Sequence, residues 1–141
     1  TKKQQQKTVI DLLENHKFSV VDFTSGTVVK TNLDLQTYRT GRRDLGTVSG
    51  AVNLDLSLSN DFTATVNANT TFTITNCPNT GVVGFSLQLI GGGAYTITFA
   101  NGKYPSATAP ALTSGGIDVI TFITYDNGTN WRGTLAMKDS R

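Results

Sequence analysis

One histidine, one cysteine and a run of three glycines are the residues of this chain whose types invite a chemical reading. His16 has no second histidine, and no cysteine or carboxylate pair stands at ligand spacing around it, so it reads as the C-terminal residue of a short helix and not as a metal ligand. Cys77 is alone, which rules out an intrachain disulfide, and beside Pro78 in a turn it reads as a bystander thiol. Gly91-Gly92-Gly93 lacks the Gly-Lys-Ser/Thr ending and the opening helix of a phosphate loop, and it reads as a hairpin turn. No Ser-His-Asp or Cys-His set can be built from one histidine and one cysteine, and the carboxylates are scattered singly along strands and turns. The expectation is a chain that is not an enzyme and uses no cofactor and no metal, with Asp118 a structural residue at a strand start. The Asn-x-Thr sequons at Asn69 and Asn127 matter only in a secretory pathway, for which the N-terminal sequence gives no support.

The elements that position these residues read as all-β. Hydrophobic content of 38% and charged content of 16% are both modest, and the remainder is Thr, Asn, Ser and Gly, which suits strand faces and turns. From Gly46 to Ala136, apolar residues alternate in short runs bounded by Gly, Asn, Asp or Pro. Val52, Leu54, Leu56 and Leu58 share a face, then Phe62, Ala64, Val66 and Ala68, then Phe72 and Ile74. Val83, Phe85, Leu87 and Leu89 precede the glycine run, and Tyr95, Ile97 and Phe99 follow it, which predicts a β-hairpin over 82–99. Regular spacing of such strands predicts an antiparallel β-sandwich or jelly-roll-like module over 46–141. In Ile117–Tyr125 both faces are apolar, with Val119, Ile123 and Tyr125 on one and Ile120 and Phe122 on the other. One of these two sets is expected to pack across a subunit boundary in a homo-oligomer. Asp126-Asn127-Gly128-Thr129-Asn130 is a turn, and Trp131, Gly133, Leu135 and Met137 close the fold.

Residues 1–45 read as an N-terminal arm. Thr8 caps a short helix with Val9, Leu12, Leu13 and His16 on one face, and strand patterns follow at 18–23 and 27–35. Eight Lys and Arg against five Asp and Glu make the arm basic, whereas the rest has four against five. Between Gly46 and Gly102 only Asp55 and Asp61 are charged, which is sparse for a surface that must remain in solution as a monomer. The run Thr37–Asp44, with Arg39, Arg42 and Arg43, matches no nucleic-acid-binding motif and reads as a solvated or protein-contacting loop. No apolar run approaches the ~20 residues of a membrane span, so neither nucleic acid nor membrane is an expected partner.

The segments Tyr95-Thr-Ile-Thr-Phe99, Thr108-Ala-Pro110-Ala-Leu112, Gly115-Gly116-Ile-Asp118, Phe122 and Asp126-Asn-Gly128-Thr-Asn-Trp131-Arg-Gly133 resemble a β-module recurrent in surface proteins of tailed-bacteriophage virions. Gly50-Ala-Val-Asn-Leu-Asp-Leu56 fits its opening, and the likeness covers about residues 47–136. It implies a virion structural protein. With only a short arm before the module, and Thr1 where an initiator Met would have been removed, the chain reads as a complete small protein of the capsid exterior, made in the host cytoplasm. The resemblance then implies a capsid decoration (cement) protein, probing the alternative of a tail-fibre or receptor-binding tip, with carbohydrate binding through the 101–116 loop as a third reading. In the cement reading Lys2, Lys3, Lys7, Val9, Leu12, Leu13, Arg39, Arg42 and Arg43 anchor the arm to the major capsid protein. The module stands outward as a homotrimer, the three-fold coming from the resemblance.

Overall fold

The computed structural model describes residues 39–141. The arm helix and the strand patterns before residue 39 lie outside the described residues. The described chain is all-β: β1 (Arg42–Asp55), β2 (Asp61–Thr75), β3 (Val83–Ile90), β4 (Ile97–Phe99), β5 (Gly102–Lys103), β6 (Ile117–Thr124) and β7 (Trp131–Met137), with single 3-10 turns at Gly92–Ala94 and Pro105–Ala107. β1 takes in Arg42–Asp44, which the sequence assigned to an irregular loop.

The strands make one mixed sheet in the order β1-β2-β3-β6-β7-β5, with β4 also on β2. β1, β3 and β4 all pair with β2 in parallel, where an antiparallel sandwich was expected. Chain length explains how parallel neighbours can be joined so briefly. Straight, β1 would run ~46 Å, but the 56–60 connection reaches only ~18 Å, so the strand must turn back within itself. Its register against β2 shifts between Asp44 and Thr47 and again between Val48 and Gly50. Gly46 and Gly50 sit at these shifts with φ of 66° and 68°, a backbone region that L side chains rarely adopt. β2 bends likewise. Its first part, Asp61–Thr65, carries β3, and Thr70–Phe72 carries β4, with an exposed corner at 67–69 where the Asn69 side chain accepts a 2.9 Å hydrogen bond from the Thr96 amide.

Residues 83–99 therefore form a third turn of a coil and not a hairpin. β3 pairs with β2 and β6, and among the described strands β4 pairs only with β2. Around Gly92–Ala94 the Tyr95 amide donates back to Gly92, and the chain goes on along β2 without reversing. The antiparallel part is β3-β6-β7, in which the Asp126–Asn130 turn joins β6 to β7 as a hairpin.

Curling puts one face of every strand inside. Leu54, Phe62, Ala64, Val66, Phe72, Phe85, Leu87, Leu89, Phe99, Ile120, Phe122 and Trp131 are buried together. A run of rings joins the coil to the antiparallel strands: Phe62 meets Phe85 edge-on, Phe85 stacks on Phe122 at 5.1 Å, Phe122 meets Phe99 at 4.7 Å, and Phe99 stacks on Phe72 at 5.3 Å. Such pairs contribute ~1 kcal/mol each beyond their buried area.

Candidate functional site: the outer face of β3, β6 and β7

Alternation along β6 sorts its side chains. Asp118, Ile120, Phe122 and Thr124 are buried, while Val119, Thr121, Ile123 and Tyr125 point outward. Of the residues expected at a subunit boundary, Ile120 and Phe122 are thus corrected: they fill the interior of this chain. Val119, Ile123 and Tyr125 are available to a partner, and Tyr125 is 64% exposed. Met137 lies across from Val119 and is 59% exposed. Exposed Val82 precedes Val83, which pairs with Thr124, so it belongs to the Tyr125 end of this face. Together they form an apolar strip broken by Thr121, Thr134 and Arg132.

Two open grooves lie on this side and share Arg132 and Thr134. One, of about 380 Å³, runs over Gly84, Thr121 and Ile123; the other, of about 400 Å³, is bounded by Lys103, Tyr104 and Pro105. Gly133 also lines it, and a Cβ there would come within 2.7 Å of Cδ1 of the buried Phe122 ring. Lys103 and Arg132 are direct neighbours across the β5–β7 pair, two cations side by side. Sequence reasoning singled out the 101–116 loop but missed Lys103, Arg132 and Thr134. The alternation of β7 marks Arg132 and Thr134 as outward, but nothing local reveals that β5 pairs with β7.

The Asp126–Asn130 turn holds the end of the strip. Asn127 and Gly128 take φ of 56° and 83°. The Asp126 carboxylate accepts hydrogen bonds from the Asn130 side chain and backbone and from the Thr124 hydroxyl, all within 2.9 Å. These bonds, those of Asn130 first, hold its pKa down to about 2, with the Arg132 charge a smaller cause. Because the folded value lies below the ordinary one, this contribution to stability is complete above pH ~4 and is lost as pH falls through 2. Asp55 and Asp139 are shifted in the same direction. The melting temperature is therefore expected to fall between pH 4 and 2, and to fall less in Asp126→Asn; equal slopes in a pH series of thermal melts would count against the turn's role.

The other predicted residues stand apart from this face. Arg39, Arg42 and Arg43 are exposed, the last two on β1, which β2 and β3 separate from β6. Lys2, Lys3, Lys7, Val9, Leu12 and Leu13 lie outside the described residues. Cys77 packs against Gly128, and burial pushes its thiol up, away from the thiolate form. Among the described residues no three His, Cys, Asp or Glu side chains come together as a metal site.

Comparison with protein-family models, curated proteins and solved structures finds no match. The functional reading therefore rests on the residues themselves.

Proposed function

We propose that this chain is a non-enzymatic structural protein of a bacteriophage virion: a decoration protein that binds the major capsid protein through its basic N-terminal arm and associates as a homotrimer. The observation that supports assembly as its task is the apolar strip on the outer face of β6 and β7, where Ile123, Tyr125 and Met137 stand in solvent beside few charges. The residues that carry the phage resemblance have framework roles, Phe99, Asp118, Phe122 and Trp131 in the interior and Asp126 in the turn. The likeness is thus one of scaffold and setting. A decoration protein that binds only the assembled shell stabilises it by mass action.

A second reading, a receptor-binding fibre tip, draws on the Lys103–Arg132 groove. Arg141–Asp139 is the one salt bridge among the described residues, so no described carboxylate pairs with either cation of the groove, and an anionic ligand would find two charge-assisted donors there.

Labelled protein added to particles that lack it, followed by imaging, tests the proposal. Many copies over the shell are expected, and a solution mass three times 15.1 kDa that drops when Ile123 and Tyr125 are both changed to Glu. A few copies at the tail alone favour the fibre tip, and a wild-type monomer at micromolar concentration overturns the trimer.

A further inference from the structure

Two residues of β5 and the turn behind them build a wall beside β7. The Trp131 amide donates to the Asn101 carbonyl at 3.0 Å, which starts a parallel pairing of Gly102 with Trp131 and of Lys103 with Arg132. Residues paired in this way point to the same side of a sheet, on strands ~4.8 Å apart. Trp131 is buried, so its neighbour Arg132 stands outward with Lys103, and both are exposed. Two like charges this close repel each other, and an anion between them relieves that repulsion.

The pairing ends where Pro105 opens a 3-10 turn. There the Ala107 amide donates to the Tyr104 carbonyl at 3.0 Å, and the Thr108 amide to the Pro105 carbonyl at 3.2 Å. Ser106 and Ala107 take φ of 54° and 57°, a region that residues with a Cβ seldom occupy unless their surroundings hold them there. Tyr104 is fixed on two sides. Its ring meets Phe122 edge-on at 6.2 Å, and its hydroxyl lies over Gly102, where a Cβ would come within 2.8 Å of Oη. The wall is thus set before any ligand arrives, which reduces the entropy lost on binding.

The groove beside this wall holds about 400 Å³, near the lower end of the ~300–1,000 Å³ of small-molecule sites. Its lining offers two chemistries. Lys103, Arg132 and the Thr134 hydroxyl supply charge and hydrogen bonds, and Tyr104 and Pro105 supply rings. A phosphate or a simple carboxylate would answer the first alone, and a neutral sugar the second with only a few hydrogen bonds. A sugar acid carries both on one ring: a carboxylate for the cations and C–H groups for the negative face of an aromatic ring.

We propose that this groove binds one acidic sugar unit, its carboxylate held by Arg132 and Lys103 and its C–H face against Tyr104 and Pro105. The inference deepens the receptor-binding reading and rests on it for the setting in which such a sugar is met. It depends neither on the trimer nor on the arm.

Titration of the full chain, followed by amide chemical shifts, tests it with the methyl glycosides of glucuronate, galacturonate and N-acetylneuraminate as probes. At least one is expected to move the amides of Lys103, Tyr104, Arg132 and Gly133 to saturation. Changing Lys103→Gln and Arg132→Gln together should weaken that binding at least tenfold. Both side chains are exposed, so the variant should keep its fold, which a thermal melt checks. The ring half is read from the ligand, because Tyr104 also packs on Phe122. Methyl esters keep the sugar ring and lose the charge, whereas acetate and inorganic phosphate keep charge and lose the ring; each should bind at least tenfold more weakly than the sugar acid. No saturable shift with any of the three probes, or binding unaltered in the double variant, overturns the proposal. Acetate or phosphate binding as tightly as the sugar acid overturns it too, since the groove is then an anion site only. Imaging answers separately for the receptor-binding reading: protein found only on the shell removes that reading and leaves a positive titration standing, while failed titrations with protein found at the tail remove the groove and leave the tip.

Discussion

Phe122→Ala is expected to lower the stability of the module by about 4 kcal/mol, near the upper range for removing a ring from a packed core. The ring is 3% exposed, stacks on Phe85, tilts against Phe99 and meets Tyr104 edge-on. No neighbour can fill the space, because Phe85 and Phe99 are held by β3 and β4 and Tyr104 by the turn that follows β5. At ~5 °C per kcal/mol for a domain of this size, the melting temperature should fall by roughly 20 °C. Ile123→Ala, one residue along and 36% exposed, should cost under ~1 kcal/mol. Thermal melts of the two variants decide between interior and boundary for Phe122: equal, small losses would return it to a surface. Gly133→Ala adds a second check. Its Cβ is aimed at the Phe122 ring, so the substitution should destabilise the parent by more than it destabilises Phe122→Ala, a coupling a double-mutant cycle reads directly.

Asp118→Ala should cost about 3 kcal/mol. The carboxylate is 0% exposed and accepts bonds from the Thr113 amide at 2.6 Å, the Thr113 hydroxyl at 2.9 Å and the Asp139 amide at 3.0 Å. It ties the loop before β6 and the segment after β7 to the start of β6. Alanine would leave two backbone donors unanswered, and each unmade buried bond costs on the order of 1–3 kcal/mol. Asparagine keeps one acceptor oxygen but turns an amide toward a donor, so it should recover only part of the loss. Urea unfolding of the three proteins measures the order wild type, Asn, Ala; an alanine variant as stable as wild type would remove Asp118 from the framework.

The sequence by itself determined that the described chain is all-β and which face of β2 and of β3 is apolar. Period-two alternation marked Phe62, Ala64 and Val66, then Phe85, Leu87 and Leu89, and all six are buried. It also set the Asp126–Asn130 turn, because that chemistry is local: an Asp that caps its own turn and residues that tolerate positive φ need no distant partner. Asp118 was legible as structural for want of any catalytic neighbour in the sequence, though its three donors were not. What only the tertiary structure decided is pairing. Alternation is the same for parallel and antiparallel neighbours, so Gly91-Gly92-Gly93 looked like a hairpin when it is a bend carrying β4 along β2. For the same reason β6 looked apolar on two faces awaiting two partners, whereas the curl of the sheet gives Ile120 and Phe122 an interior and leaves Val119, Ile123 and Tyr125 outside. Which edges meet is fixed by where the chain can return within 56–60 and 76–82, a matter of distance and bend that residue type along one strand does not encode.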